Sequence, residues 1–260
     1  MNVQFVRVAI VLLLASLALS GSLVAAIRAW RKLPLGRMSR LSLALSALGI
    51  GCFLWGLFIE ADWLEVTRVT VPTAKWPKGK KFRIAHFSDL HLDRESRALD
   101  RLGIEVAAAK ADLLVFTGDS LNDAGSLKLL RTTLGSMTAT LGRVAVRGNH
   151  DVYRWRALDL FGGGVATELT RGPIILDEGK LVLCGAAFNA FDALPDCIAG
   201  APKGAFVVLA FHTPDLVEEL APKPDLYLAG HTHGGQIALP LYGALLTMSR
   251  YDKKYESGVR

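Results

Sequence analysis

Residues 226–235 read Leu-Tyr-Leu-Ala-Gly-His-Thr-His-Gly-Gly. The first four are apolar and of strand length, and the glycines that follow mark a tight loop after a buried strand. Two histidines in such a loop, His231 and His233, favour a metal site because neutral imidazole is the commonest metal ligand in proteins. Two ligands are too few for a catalytic ion, so the other ligands must come from elsewhere in the chain.

Six further apolar segments of strand length precede this loop, and each is bounded by polar residues. The seven predicted strands span 82–87, 113–117, 144–146, 174–176, 181–184, 206–211 and 226–229. Amphipathic patterns of helical spacing over 96–110 and 126–141 separate the first three strands. Apolar strands that alternate with helices predict an α/β fold whose sheets are covered on both sides.

Five of these strands are followed immediately by side chains of the types that bind metal. They are Asp89, His91, Asp119, Asn149, His150, His212, His231 and His233. Because α/β sheets gather ligands at the carboxyl ends of their strands, we expect these side chains to share one edge. Oxygen and imidazole ligands without thiolate suit two divalent ions such as Mn, Fe, Zn or Ni. Two such ions hold a phosphoryl group and activate water, so the set predicts phosphoester hydrolysis.

The order and spacing of these residues closely resemble the signature of the calcineurin-like metallophosphoesterases. The matching blocks are Asp89-x-His91, Gly118-Asp119, Gly148-Asn149-His150-Asp151, His212 and Gly230-His231-x-His233. The resemblance runs from about Arg83 to the C-terminus and is strongest with the membrane-anchored branch, which includes bacterial phosphodiesterases and UDP-2,3-diacylglucosamine pyrophosphatases. The Gly-Gly-Gln-Ile at 234–237 and the Leu-Pro-Leu-Tyr-Gly at 239–243 also resemble that branch.

This resemblance implies a four-layer α/β/β/α sandwich that binds two divalent metal ions, with manganese favoured. The implied ligands are Asp89, His91 and His233 for one ion and Asn149, His212 and His231 for the other, with Asp119 bridging both. His150 would contact the phosphate and help to protonate the leaving oxygen. That role suits a side chain that titrates near neutral pH.

The sequence departs from the family pattern at two places. Family members often carry an aspartate three residues after the bridging one, where it orients the motif histidine, whereas this chain has Asn122 there and an acid at Asp123. The orienting partner is therefore left open. The family also continues for several strands after the last histidine block, whereas this chain ends at Arg260, so we expect one edge of the second sheet to be missing.

The N-terminal part of the chain is far more apolar than the rest. Residues 8–27 and 41–59 are uncharged runs close to the ~20 residues that a helix needs to cross a membrane. The segment between them, 28–40, holds five basic residues and no acid, which predicts a cytoplasmic loop. We therefore predict a transmembrane hairpin over 1–60, a linker over 61–81 and a metallophosphoesterase domain over 82–260.

The resemblance to bacterial members implies the bacterial inner membrane, and the charge of the 28–40 loop predicts that the catalytic domain lies outside the cytoplasm. A second basic cluster follows the hairpin and favours the opposite orientation. Its members are Lys75, Lys78, Lys80, Lys81 and Arg83. The cluster would either attract anionic lipid headgroups or form a solvated linker. A cleaved signal peptide is the alternative interpretation of the first apolar run.

The remaining charge and the cysteines carry less information. The net charge of +6 comes mainly from residues beside the apolar runs, so it does not form the basic and aromatic surface typical of nucleic acid binding. Cys52 lies in the second apolar run. Cys184 and Cys197 fit no motif spacing, so we expect them to form no disulfide framework and to be inert.

Together these features predict a membrane-anchored, two-metal phosphodiesterase or pyrophosphatase that acts on a lipid-linked substrate such as UDP-2,3-diacylglucosamine. Its partners would be membrane lipids and a phosphorylated or lipid-linked small molecule, with nucleic acid disfavoured. One alternative is a membrane protein that binds phosphorylated ligands or scaffolds partners without turnover. Another is a phosphodiesterase acting on nucleotides or nucleic acid. A Ser/Thr protein phosphatase is disfavoured because residues 122–124 read Asn-Asp-Ala rather than Asp-Arg-Gly.

Overall fold

The structure is a computed structural model that describes residues 3–170, 172–239 and 242–260. Pro240 and Leu241 of the 239–243 segment, which resembles the family, lie outside the described residues. So do Met1 and Asn2 of the predicted hairpin. The chain divides into two compact units. The smaller comprises Met1–Leu64 with Ile237–Leu246, and the larger comprises Glu65–Gln236 with Thr247–Arg260.

The first sheet of the larger unit has four parallel strands. They are β1 (Ile84–Phe87), β2 (Leu113–Phe116), β3 (Arg143–Ala145) and β4 (Thr167–Glu168), paired in that order. The first three strands were predicted. The fourth has only two residues, too few to give an alternation of apolar and polar side chains in the sequence.

The second sheet also has four strands. They are β5 (Ile174–Leu176), β6 (Leu181–Gly185), β7 (Phe206–Ala210) and β8 (Leu226–Leu228), paired in that order. The strands β6, β7 and β8 are parallel, and β5 is antiparallel to β6. All four were predicted, so every strand expected from the apolar segments is present.

Two longer helices follow the predicted patterns, α3 (Arg97–Ala109) and α4 (Leu127–Ser136). Ser96 caps α3 by accepting a hydrogen bond from the backbone N–H of Leu99 at 3.2 Å, which fixes the start of the helix at the predicted residue. Two six-residue helices, α5 (Asn149–Arg154) and α6 (Leu194–Ala199), were not predicted because they are too short to show a helical period.

The core has the layer order that the family resemblance implied. Residues of both sheets share one apolar cluster between them, including Val115 of β2 and Val208 of β7. On the outer face of the second sheet Cys184 packs with Leu194 of α6. Helices also flank the first sheet, where Leu134 of α4 and residues of β2 line one small pocket. The predicted α/β/β/α sandwich is therefore confirmed.

A disulfide joins the second sheet to its covering helix. Cys184 of β6 and Cys197 of α6 are bonded, and their Cα atoms lie 5.9 Å apart. The expectation that these cysteines form no disulfide is wrong. Their spacing of 13 residues matches no motif, and only the packing of α6 on the sheet brings the two sulfur atoms together. Cys52 is a free thiol.

The smaller unit contains two long helices, α1 (Val3–Trp30) and α2 (Arg37–Phe58), which pack against each other. The Ser42 hydroxyl donates to the carbonyl of Ala18 at 3.0 Å, and that of Ser22 donates to Ser46 at 2.9 Å. Small polar residues at a helix interface are typical of membrane proteins. Both helices are long and apolar enough to cross a membrane, and the larger apolar side chains along them are mostly exposed.

The last part of the chain is divided between the two units. Strands β9 (Gln236–Leu239) and β10 (Gly243–Leu246) form a two-stranded sheet in the smaller unit, where β10 contacts α1. The segment Thr247–Arg260 belongs to the larger unit and contains a short 3-10 helix, Asp252–Tyr255, but no strand among its residues. The boundaries at 1–60, 61–81 and 82–260 stay a prediction.

The disulfide predicts the number of reactive thiols. Protein denatured without reductant and treated with iodoacetamide should gain one carbamidomethyl group, on Cys52, because Cys184 and Cys197 are bonded to each other. After reduction it should gain three, since the chain has three cysteines. Intact-protein mass spectrometry measures both numbers. Three groups before reduction would contradict the disulfide.

Candidate metal centre

The eight predicted site residues lie together at the carboxyl ends of five strands. Asp89 and His91 follow β1, Asp119 follows β2, Asn149 and His150 begin α5 after β3, His212 follows β7, and His231 and His233 follow β8. Parallel strands end at the same edge of a sheet, which is why residues so distant in sequence converge. Each of the eight side chains contacts at least one other member of the set. Their roles as ligands stay a prediction.

Asp119 occupies the middle of the cluster. Its Oδ2 atom lies 3.5 Å from Nε2 of His91 and 3.4 Å from Nε2 of His212. Two atoms that ligate the same ion at bond lengths of ~2.0–2.2 Å stand roughly 3 to 3.5 Å apart. Asp119 therefore lies between the imidazoles of His91 and His212, which is the position that a ligand shared by two ions needs.

A group of side chains lies on each side of Asp119. On one side, Oδ1 of Asp89 lies 3.4 Å from Nε2 of His233, whose ring centre is 5.0 Å from that of His91. On the other, Nε2 of His212 lies 2.9 Å from Oδ1 of Asn149, and the rings of His212 and His231 are 5.0 Å apart. The two sets implied by the family resemblance are thus both assembled.

The residues present fit a pair of divalent cations. Oδ1 of Asp89 is buried and has no hydrogen-bond donor among the described residues, so it is an anionic oxygen whose charge is left for another partner. Acid and imidazole atoms form three overlapping groups within which all ligand atoms lie within 4.8 Å of one another. Oxygen and nitrogen donors in such groups suit divalent transition-metal ions.

The electrostatics keep both aspartates charged. Burial opposes ionisation of Asp89, but the imidazoles of His233 and His212 beside its carboxylate outweigh it and hold the pKa of Asp89 at about 2. The pKa of Asp119 is also lowered, because hydrogen bonding and charge from His212 outweigh the effect of burial. Burial lowers the pKa values of His91 and His231, which favours the neutral imidazole that binds metal. Asp89 raises the pKa of His233, and Asp119 raises that of His212 against the effect of burial.

Hydrogen bonds to the Nδ1 atoms orient two of the imidazoles. Nδ1 of His212 lies 2.8 Å from the carbonyl oxygen of Thr117, which can only accept, so Nδ1 carries a proton and Nε2 faces the oxygens of Asn149 and Asp119. Nδ1 of His91 lies 3.0 Å from Oδ1 of Asn122. Asn122 therefore orients His91. It does not contact the motif histidine His150, whose buried Nδ1 has no partner among the described residues.

Asp151 is the last residue of the motif that begins at Gly148, and no role was predicted for it. Its side chain links two of the loops by hydrogen bonds. Its carboxylate accepts hydrogen bonds from the backbone N–H groups of Asp119, Ser120 and Gly148 at 2.9 to 3.0 Å. Burial raises the pKa of Asp151, while these N–H groups oppose that rise. The signal available in the sequence was its position three residues after Gly148, where an acidic side chain caps the start of a helix.

The backbone at the site is strained. Five of the eight site residues have a positive φ, between 41° and 72°: Asp89, His91, Asp119, His231 and His233. Residues other than glycine seldom adopt this left-handed conformation, and each such residue costs of order 1–3 kcal/mol unless its surroundings stabilise it. Backbone hydrogen bonds between the loops supply part of that support, because Asp89 and His91 donate to the carbonyls of Gly118 and Asp119.

Glycines let the loops approach each other. Gly118 has a φ of +98°, and a Cβ there would lie 2.3 Å from the backbone nitrogen of Gly148. A Cβ on Gly230 would lie 1.9 Å from the Ser88 hydroxyl and 2.2 Å from Oδ2 of Asp89. The glycines quoted in the motifs are thus required by close packing around the ligands.

The C-terminal segment supports the loop that carries the last two histidines. Thr232, between His231 and His233, donates from its hydroxyl to the carbonyl of Glu256 at 2.9 Å. The buried carboxylate of Asp215 anchors the same segment by accepting hydrogen bonds from the hydroxyl of Ser249 at 2.5 Å and the backbone N–H of Arg250 at 2.9 Å. Residues 247–260 therefore contribute to the site without contributing a ligand.

Comparison with known proteins gives a match over the greater part of the chain. Residues 82–235 match the family described as calcineurin-like phosphoesterase. The chain is 27% identical to the UDP-2,3-diacylglucosamine pyrophosphatase LpxG of Chlamydia muridarum, over 76% of this chain and 77% of that protein. It is 29% identical to the phosphodiesterase YaeI of Escherichia coli K12, over 78% of each chain.

A third relative carries the same kind of domain in a protein that is named as transmembrane. The chain is 27% identical to a protein of Danio rerio named as a transmembrane protein with a metallophosphoesterase domain, over 71% of this chain and 48% of that protein. Together with the two apolar helices α1 and α2, this similarity indicates membrane association.

Replacing Gly230 tests whether the close packing serves metal binding. In Gly230→Ala the new Cβ must displace Asp89 or the His231 loop, so we expect the affinity for Mn²⁺, measured by isothermal titration calorimetry, to fall by about tenfold or more. Gly103→Ala is the control, because a Cβ on Gly103 in α3 meets no atom within 4 Å. The control should bind Mn²⁺ normally, and equal affinity in the two variants would contradict the role of Gly230.

Proposed function

The chain belongs to the calcineurin-like phosphoesterase family and is a metal-dependent phosphoester hydrolase, and from this premise we propose a more specific activity. We propose that it is a membrane-anchored phosphodiesterase or pyrophosphatase that hydrolyses a lipid-linked substrate with the help of two divalent ions. The observation that carries the proposal is the position of Asp119 between two groups of oxygen and imidazole donors.

In this proposal the two groups hold one ion each. Asp89, His91 and His233 would hold the first, Asn149, His212 and His231 would hold the second, and Asp119 would be shared by both. We favour manganese, with iron, zinc and nickel as the other candidates for these donors. When bound, the ions supply positive charge to the phosphoryl oxygens and make water a stronger nucleophile.

We assign the proton donor to His150. Its backbone N–H donates to Oδ1 of Asp119 at 2.8 Å, which fixes the start of α5 beside the central carboxylate. Its ring centre lies 4.7 Å from that of His91. A histidine held beside the ligands can give a proton to the leaving oxygen of the ester.

The membrane anchor in this proposal is the helix pair α1 and α2. The LpxG relative is named for a lipid-linked nucleotide substrate, and the YaeI relative is named as a phosphodiesterase. Both names support a phosphodiester or phosphoanhydride substrate, and membrane helices would keep an enzyme close to a lipid. UDP-2,3-diacylglucosamine is therefore the first substrate to test.

Two observations support a catalytic domain outside the cytoplasm. The five basic residues of the 28–40 loop favour a cytoplasmic location for that loop, and both ends of the hairpin would then lie on the other side. The Cys184–Cys197 disulfide is independent support, because disulfides persist in oxidising compartments and are rare in the cytoplasm. In that orientation an envelope lipid is a better candidate than a cytoplasmic precursor.

Substitution of the central carboxylate tests the catalytic proposal. Asp119→Asn removes a charge shared by both ions, so we expect kcat for bis(p-nitrophenyl) phosphate with Mn²⁺ to fall by about 10³-fold or more. Asp100→Asn, an exposed carboxylate in the first turn of α3, is the matched control and should keep full activity. Activity of Asp119→Asn equal to that of the control would favour the non-catalytic alternative.

The same purified proteins should be assayed for release of uridine monophosphate from UDP-2,3-diacylglucosamine. Release that depends on Asp119 would support a pyrophosphatase of that substrate. Cleavage of the artificial diester alone would keep the hydrolase and redirect the search to other envelope phosphodiesters.

Reporter fusions test the orientation. Alkaline phosphatase folds only in an oxidising compartment, so a fusion after residue 260 should be active and a fusion after residue 35, in the basic loop, should be inactive. The opposite pattern would place the catalytic domain in the cytoplasm.

A further inference from the structure

An aromatic pair, Tyr153 and Phe188, lies beside the candidate metal centre and has no role in the chemistry described above. The two ring centres are 5.8 Å apart, and the ring of Phe188 lies 6.4 Å from that of His212. Tyr153 is a large side chain that is 71% exposed. A large exposed aromatic surface next to a site is a candidate contact for a ligand.

Tyr153 lies on α5, the helix that begins with Asn149 and His150. Residues three and four apart on a helix share a face, so Tyr153 lies on the same face as His150 and Asn149 and one turn further along. Asn149 contacts His212 at 2.9 Å, and His212 contacts Phe188. The aromatic pair is therefore continuous with the second group of candidate ligands.

The loop that carries Phe188 is held at several points. The backbone N–H of Phe188 donates to the carbonyl of Arg147 at 2.9 Å, immediately before the Gly148 motif. The disulfide between Cys184 and Cys197 closes the segment that contains this loop, since one cysteine precedes Phe188 and the other follows it. The backbone of Phe188 is thus tied to the residue before the Gly148 motif.

The geometry of the pair favours a flexible apolar chain over a flat ring. The two rings are inclined by 73° and meet edge to face, so they leave no slot between them in which a base could be sandwiched. An alkyl chain can lie along the exposed side of this edge-to-face pair and bury methylene groups there. Tyrosine also suits a surface near lipid, because its ring is apolar and its hydroxyl is polar.

We propose that Tyr153 and Phe188 bind the alkyl portion of the substrate next to the phosphate and so select lipid phosphoesters. This inference rests on the proposed function and names the residues that would give it lipid specificity. Tyr153 is a specificity residue in this proposal and takes no part in the bond cleavage itself.

A chain-length series with a constant leaving group tests the proposal. Methyl, butyl and hexyl p-nitrophenyl phosphate all release p-nitrophenolate, so only the alkyl group changes. With wild-type protein and Mn²⁺, kcat/KM should rise by about tenfold from methyl to hexyl, mainly through KM. Tyr153→Ala should abolish this rise, and Tyr153→Phe should restore it.

A control variant, a second probe and a binding measurement complete the experiment. Ile104→Ala, an exposed apolar side chain on α3, should leave the chain-length dependence unchanged. Calorimetric binding of hexyl phosphate against methyl phosphate tests the pair even if no ester is cleaved, so failure of the proposed activity is distinguished from failure of this inference. An unchanged preference of Tyr153→Ala for the hexyl over the methyl ester would overturn the inference. A loss of kcat/KM confined to thymidine 5′-(p-nitrophenyl phosphate) would also overturn it and would identify a nucleobase site.

Discussion

The carboxylate of Asp151 is the contact on which the arrangement of the site depends. It accepts three backbone N–H groups from two loops, one that follows β2 and one that follows β3. Each of those buried N–H groups would cost about 1–3 kcal/mol if it lost its acceptor. The positions of Asp119 and Asn149, which belong to those two loops, are therefore set by a side chain that contributes no ligand in the proposed mechanism.

The surrounding fold has to stabilise an arrangement that is unfavourable locally. Two ionised aspartates lie among imidazoles, and five site residues hold a left-handed backbone conformation. Strain of this kind persists only where packing and hydrogen bonds determine the structure around it. Here two sheets that share an apolar core supply that rigidity, and a bound cation would reduce the repulsion between the carboxylates.

The proposed function connects three features that lie outside the ligand set. The apolar helices α1 and α2 would keep the enzyme at a membrane, the disulfide fits a domain in an oxidising compartment, and the pair Tyr153 and Phe188 offers an apolar surface beside the ligands. The disulfide bears on both the compartment and the aromatic pair, because it closes the segment that contains Phe188. Together they describe an enzyme adapted to a lipid phosphoester.

The sequence by itself determined the family, seven of the strands, both long helices of the sandwich and the eight residues that converge, because apolar periodicity and motif spacing are local patterns. Only the tertiary structure decided which atoms meet. In the structure Asn122 hydrogen-bonds to His91 rather than to His150, and Asp151 accepts three backbone N–H groups. Cys184 is bonded to Cys197, and Phe188 lies against His212. These contacts join residues on different elements, and their geometry depends on how the sheets and helices pack, which no local pattern records.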